Sequence, residues 1–194
     1  ASRSLVERAQ LRREADDKQR RTAAAFFGVY QTVNIIVALI VVVLALWLLI
    51  FGDGAIPPQV WISALVIAGM ALLVAALGIG LNRYHRRDEV HAAKTMRPGL
   101  LLGLYITLLV ATDLASALLG PITLSSVPAT MAYILENWSW VKSRALPFSE
   151  PLQSAQKAAN SMSHLAIGSI VLCAVQSLGL VNVCSLLSRR GARA

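Results

Sequence analysis

Asp113 is the residue whose setting most demands a chemical explanation. It stands in an otherwise apolar run, Gly99 to Gly120. A carboxylate at bilayer depth costs on the order of 2.5–3.5 kcal/mol on insertion scales, so it normally faces protein. Asn34 and Gln176 stand in two other apolar runs. Polar side chains inside hydrocarbon either relay protons, which takes several ionisable groups, or hydrogen-bond across helices and fix their packing. No second apolar run carries an Asp, Glu, Lys or Arg in its middle, so packing is the expected role. At about 1.5 Å per residue, Asp113 lies roughly 10 Å inside the outer end of its run and Gln176 roughly 16 Å below the same face. Asn34 lies about 25 Å below the same face, too deep to reach Asp113. The expectation is that Asp113 faces the interior and bonds Gln176, or a hydroxyl such as Ser169 or Ser63.

Other groups offer less. His85 and His91 fall in a basic stretch and His164 at the edge of an apolar run, with no Cys or carboxylate at ligand spacing, so no metal or other cofactor is expected. The two cysteines, Cys173 and Cys184, are eleven positions apart in one helical run, about 16 Å, too far to bond each other. Cys184 lies near the basic end of that run, where S-palmitoylation is a candidate modification and a small buried side chain the plainer account. There is no nucleophile elbow, phosphate loop or dinucleotide fingerprint, and no catalytic residue is proposed.

The elements that must position these residues are membrane helices. The chain has 194 residues, 56% hydrophobic and 14% charged, which points to one membrane domain rather than a soluble core. Four runs are long enough to cross a hydrocarbon core of roughly 30 Å: about 26–51, 61–81, 99–120 and 165–187. The expected architecture is an all-α, integral-membrane four-helix bundle over 26–188. It is preceded by a basic helix (1–25), started by a capping box at Ser4 and Glu7, and followed by a basic tail (189–194). Between the third and fourth spans lies a long, partly helical outer loop, 121–163, broken by prolines.

Three-four spacing marks the packing seams. The first span offers Gln31, Asn34, Ala38, Val41, Ala45 and Leu48. The second offers Ala64, Ala68, Ala71, Ala75 and Gly78, small residues that let two backbones approach, so these two helices are expected to pair most closely. The third reads Gly103, Ile106, Val110, Asp113, Ala117 and Gly120, and the fourth Ser169, Leu172, Gln176 and Gly179. In the loop, Met131, Ile134, Leu135, Trp138 and Val141 recur at helical spacing. Leu135, Trp138 and Val141 are candidates to meet a partner, with Trp138 and Trp140 placed to sit at the membrane interface. Ser149 is a candidate cap for a helix leading into the fourth span.

A net charge of +8 raises nucleic acid as a partner. The basic residues instead gather at the ends of the apolar runs: seven in 1–22, five in 82–98 and three at the C-terminus, against none in 52–60. The positive-inside rule therefore sets both termini and the 82–98 link in the cytoplasm and the long loop outside. Membrane lipids, including anionic headgroups at the basic N-terminal helix, are expected partners, and nucleic acid is not.

Four spans, a short first outer loop, a basic inner link and a long second outer loop resemble the tetraspanin architecture. Asn34 and Leu46-Trp47 in the first span, Leu100-Leu101-Leu102, Tyr105 and Asp113 in the third, and Gln176 in the fourth are similar to residues that tetraspanins carry there, with Asp113 where Glu is usual. The loop carries no Cys-Cys-Gly motif, and the second-span and juxtamembrane cysteines are missing, so the chain is a divergent case. The resemblance implies a non-enzymatic membrane scaffold or organiser that associates laterally with other integral membrane proteins, in a plasma or organelle membrane. The alternative is an accessory structural subunit of a large membrane complex, in an organelle or elsewhere, since a cysteine-free loop needs no oxidising compartment. A small transporter or channel is a third reading and would need a wet path past Asp113.

Overall fold

The computed structural model describes residues 2–51, 56–87, 98–142 and 150–191. Every regular element among them is helical: α1 (Ser2–Phe51), α2 (Pro58–Arg87), α3 (Pro98–Glu136), α4 (Trp138–Lys142) and α5 (Pro151–Gly191). Four stretches are long and apolar enough to cross a membrane: Ala25–Ile50, Pro58–Asn82, Gly99–Glu136 and Pro151–Cys184. Residues 88–97 of the basic link, Ser149 and residues 192–194 of the tail lie outside the described residues, as do the side chains of Ser4 and Glu7.

The four long helices form a ring in which α1 packs on α2 and α5, and α3 packs on α2 and α5. Lipid supplies no hydrophobic drive between helices, so close packing and interhelical hydrogen bonds must hold such a ring. The seam expected on α1 is buried at all six positions, from Gln31 to Leu48. On α2, Ala64, Ala68 and Ala71 are fully buried, and Ala75 nearly so. The Nδ2 of Asn34 donates to the carbonyl of Ala71 at 3.1 Å, a bond that only small side chains leave room for. The most extensive pairing is nevertheless α3 with α5, because both run on together past the bilayer thickness.

That continuation runs through most of the segment expected as a partly helical loop. Residues 121–136 and 151–163 extend α3 and α5 as helix, and α3 carries Pro121 and Pro128 inside it. A proline removes one N–H and crowds the carbonyl four residues back, which ordinarily ends a helix. Here a heptad-like buried stripe, Tyr105, Leu109, Thr112, Ser116, Leu119, Thr123, Thr130 and Ile134, passes both prolines, with Ser126 and Val127 half-buried between Thr123 and Thr130. α5, its most extensive neighbour, carries a buried stripe of its own: Ala155, Ala158, Met162, Leu165, Ser169 and Leu172. The Ser125 and Ser126 hydroxyls donate to the carbonyl of Ile122, and Thr130 to that of Ser126, at 2.8–2.9 Å. Neighbouring helices and such hydroxyls are what let proline persist in membrane helices.

The same stripe corrects the seam expected on α3. Gly103, Val110 and Ala117 are exposed and Asp113 is half-buried; only Gly120 of that set is fully inside. The buried line lies one position earlier, a rotation of about 100° around the helix.

Candidate functional site: a polar cluster and a half-buried carboxylate

Tyr30, Gln31 and Asn34 fall within five residues of α1 and project from one side of it, since positions i and i+4 share a helix face. All three are buried, as are Tyr105 on α3 and Gln176 on α5. The Nε2 of Gln176 donates to Oδ1 of Asn34 at 2.6 Å, and the Tyr30 hydroxyl donates to Oε1 of Gln176 at 3.4 Å. The Nε2 of Gln31 donates to the Tyr105 hydroxyl at 3.1 Å. With the Asn34 bond to Ala71, the cluster ties α1 to all three other long helices, including α3 across the ring. The Phe27 ring lies 6.2 Å from both the Tyr30 and Tyr105 rings and covers one side. Among the described residues, Oε1 of Gln31 is buried without a hydrogen-bond partner.

Two glycines make the space. A Cβ on Gly78 would strike the amide of Gln31, and a Cβ on Gly179 would strike the hydroxyl end of the Tyr30 ring. Gly78 completes the small-residue stripe of α2, while Gly179 does the same service on α5.

Asp113 stands apart. Its Oδ1 accepts from the Ser177 hydroxyl at 3.0 Å and the Cys173 thiol at 3.4 Å, both on α5. The expected bond to Gln176 is absent, because Gln176 points one helical step away, toward Asn34. Ser169 is buried but donates to its own helix, at the carbonyl of Leu165.

At the far end of the α3–α5 hairpin, Ile134 and Val141 are fully buried, Trp138 is partly buried and Leu135 is 44% exposed. The expected single amphipathic helix is divided: α3 stops at Glu136, and α4 starts at Trp138. Val141 therefore belongs to the hairpin's own core, while Leu135 faces outward. Cys184 is exposed on α5. Among the described residues no group of His, Cys, Asp and Glu is arranged to hold a metal ion.

Sequence reasoning missed Tyr30 as a member of the cluster. The signal was there: a Tyr one turn before Asn34, on the face the seam had already defined. No protein-family model, curated protein or solved structure matches this chain.

Proposed function

We propose that the chain is a non-enzymatic membrane scaffold, tetraspanin-like in helix order, that associates laterally with other integral membrane proteins and with lipid. In this reading both termini and the 82–98 link are cytoplasmic, following the distribution of Lys and Arg. The observation that carries it is the α3–α5 hairpin. The apolar stretch of α3 has 38 residues, about 57 Å, and that of α5 has 34, about 51 Å, against a hydrocarbon core of roughly 30 Å. Some 20 Å or more of this helix pair thus stands beyond the bilayer; α5 is mixed in polarity there, with Gln153, Gln156, Lys157 and Asn160 exposed, and Leu124, Tyr133, Leu135 and Leu152 are exposed apolar side chains on the pair. Exposed apolar side chains on a projecting element offer surface to a partner.

A second reading, an accessory structural subunit of one large membrane complex, is favoured by α1. That helix begins at Ser2, well before its apolar stretch starts at Ala25. The part before Ala25 is rich in charged residues, and a largely polar helix persists best when it bridges to something else. Purification in mild detergent, followed by native mass measurement, separates the two. A variable set of partners supports the organiser; one fixed stoichiometry supports the subunit; a chain that purifies alone, with lipid only, overturns both.

A further inference from the structure

Asp113 is half-buried and takes both of its hydrogen bonds, from Ser177 and Cys173, on the single oxygen Oδ1. Among the described residues nothing donates to Oδ2. The side chain sits fourteen residues into the apolar stretch that starts at Gly99, about 21 Å from that end and well inside the hydrocarbon. Around it the surface of α3 is bare. Val110 is 38% and Leu114 62% exposed, Ala117 is exposed, and a Cβ on Gly103 would meet nothing within 4 Å. Across the groove, Ala174 and Val181 of α5 are exposed too. The four-helix ring therefore leaves a carboxylate oxygen open on a face that lipid would otherwise cover, which is the costly way to place it.

We propose that this face of α3 and α5 docks a transmembrane helix of a different protein, one that carries a lysine or arginine at the depth of Asp113. Charge complementarity selects that occupant, because an opposite charge is what a carboxylate at this depth lacks. A second copy of this chain does not supply it. No Lys or Arg occurs from 22 to 82, from 98 to 141 or from 158 to 188. The small side chains at Gly103 and Ala117 on α3 and Ala174 on α5 let a fifth backbone come close enough for a charge-assisted bond to Oδ2. The inference rests on the lateral-association reading above and names the kind of partner it takes.

The test uses the full chain in phosphatidylcholine vesicles and two synthetic transmembrane helices of roughly 22 residues, mostly Leu and Ala. One helix carries a single Lys at the matching depth and the other a Met there. Energy transfer between labels reads binding. The Lys helix is expected to bind about tenfold tighter than the Met helix. Asp113→Asn should erase the difference, because an amide oxygen still accepts from Ser177 while the charge is gone. In Asp113→Lys the preference should pass to a helix bearing Asp. Equal binding of the Lys and Met helices, or a Lys preference that survives Asp113→Asn in a folded chain, overturns the proposal. Co-purifying partners combined with no Lys preference sinks this site alone and leaves lateral association standing.

Discussion

Gln176 on α5 donates from Nε2 to Oδ1 of Asn34 on α1 at 2.6 Å, and both side chains are fully buried. The same Asn34 donates to the backbone of Ala71 on α2, so one amide joins three helices. Interhelical bonds of this kind contribute about 0.6–2 kcal/mol each. Their larger consequence is register: sliding any of these helices by one residue breaks the set.

Asn34→Leu and Gln176→Leu are each expected to destabilise the bundle by about 1–2 kcal/mol. The double variant should lose less than the sum, because each single change orphans the other amide. Unfolding in mixed micelles, run as a double-mutant cycle, measures the coupling. Strict additivity would show that the two amides act independently.

The glycines give a graded series. A Cβ on Gly179 meets the rigid ring of Tyr30, one on Gly78 meets the movable end of Gln31, and one on Gly69 meets nothing within 4 Å. Thermal stability should therefore fall most for Gly179→Ala and less for Gly78→Ala, which displaces Gln31 from Tyr105. Gly69→Ala should be neutral or gain up to about 1 kcal/mol from helix propensity. Any other ranking contradicts the packing described.

Ala71→Leu should separate α1 from α2 and break the Asn34 bond to that residue's carbonyl, a loss of about 1–3 kcal/mol. Leu73, 58% exposed on the same helix, is the control. Leu73→Ala should leave unfolding unchanged within about 0.5 kcal/mol. Equal effects at the two positions would remove the small-residue stripe from the account of pairing.

Leu135→Asp should weaken co-purification of partners without lowering bundle stability, since this side chain faces outward. Val141→Asp, in the hairpin core, should lower stability instead. If Leu135→Asp leaves partner recovery unchanged, the outer hairpin is not the contact surface.

Sealed vesicles test orientation. Protease added outside should spare the 82–98 link and both termini and should cut, if anywhere, near residues 143–149. Cleavage of the 82–98 link from outside inverts the assignment.

The helical class and the four apolar stretches were legible because hydrophobicity over about twenty residues is a strong, local signal. The seams of α1, α2 and α5 were legible for the same reason: Ala38, Ala45, Ala68 and Leu172 repeat at a spacing that only one helix face satisfies. The seam of α3 was not. Two stripes with the same spacing run along it, and reading Asp113 as buried selected the wrong one. Depth arithmetic placed Asp113 within reach of α5 correctly, yet depth carries no azimuth: Gln176 and Ser177 differ by one rise of about 1.5 Å but by about 100° of rotation. The far end of α3 was hidden by Pro121 and Pro128, which read locally as breaks. Around them α3 packs along α5, with Gly120 against Ala166 and Ile170, and no window of sequence contains both sides of that contact.

The unbroken run of α5 has a mechanical consequence. From Pro151 to Gly191 it holds no internal proline, and it buries Ser154 near its start and presents Ser177 to Asp113 and Gln176 to Asn34 along one rod of about 62 Å. Torque applied at its first turns meets no proline joint before Gln176, so whatever grips the hairpin acts along one rod on the contact between α5 and α1.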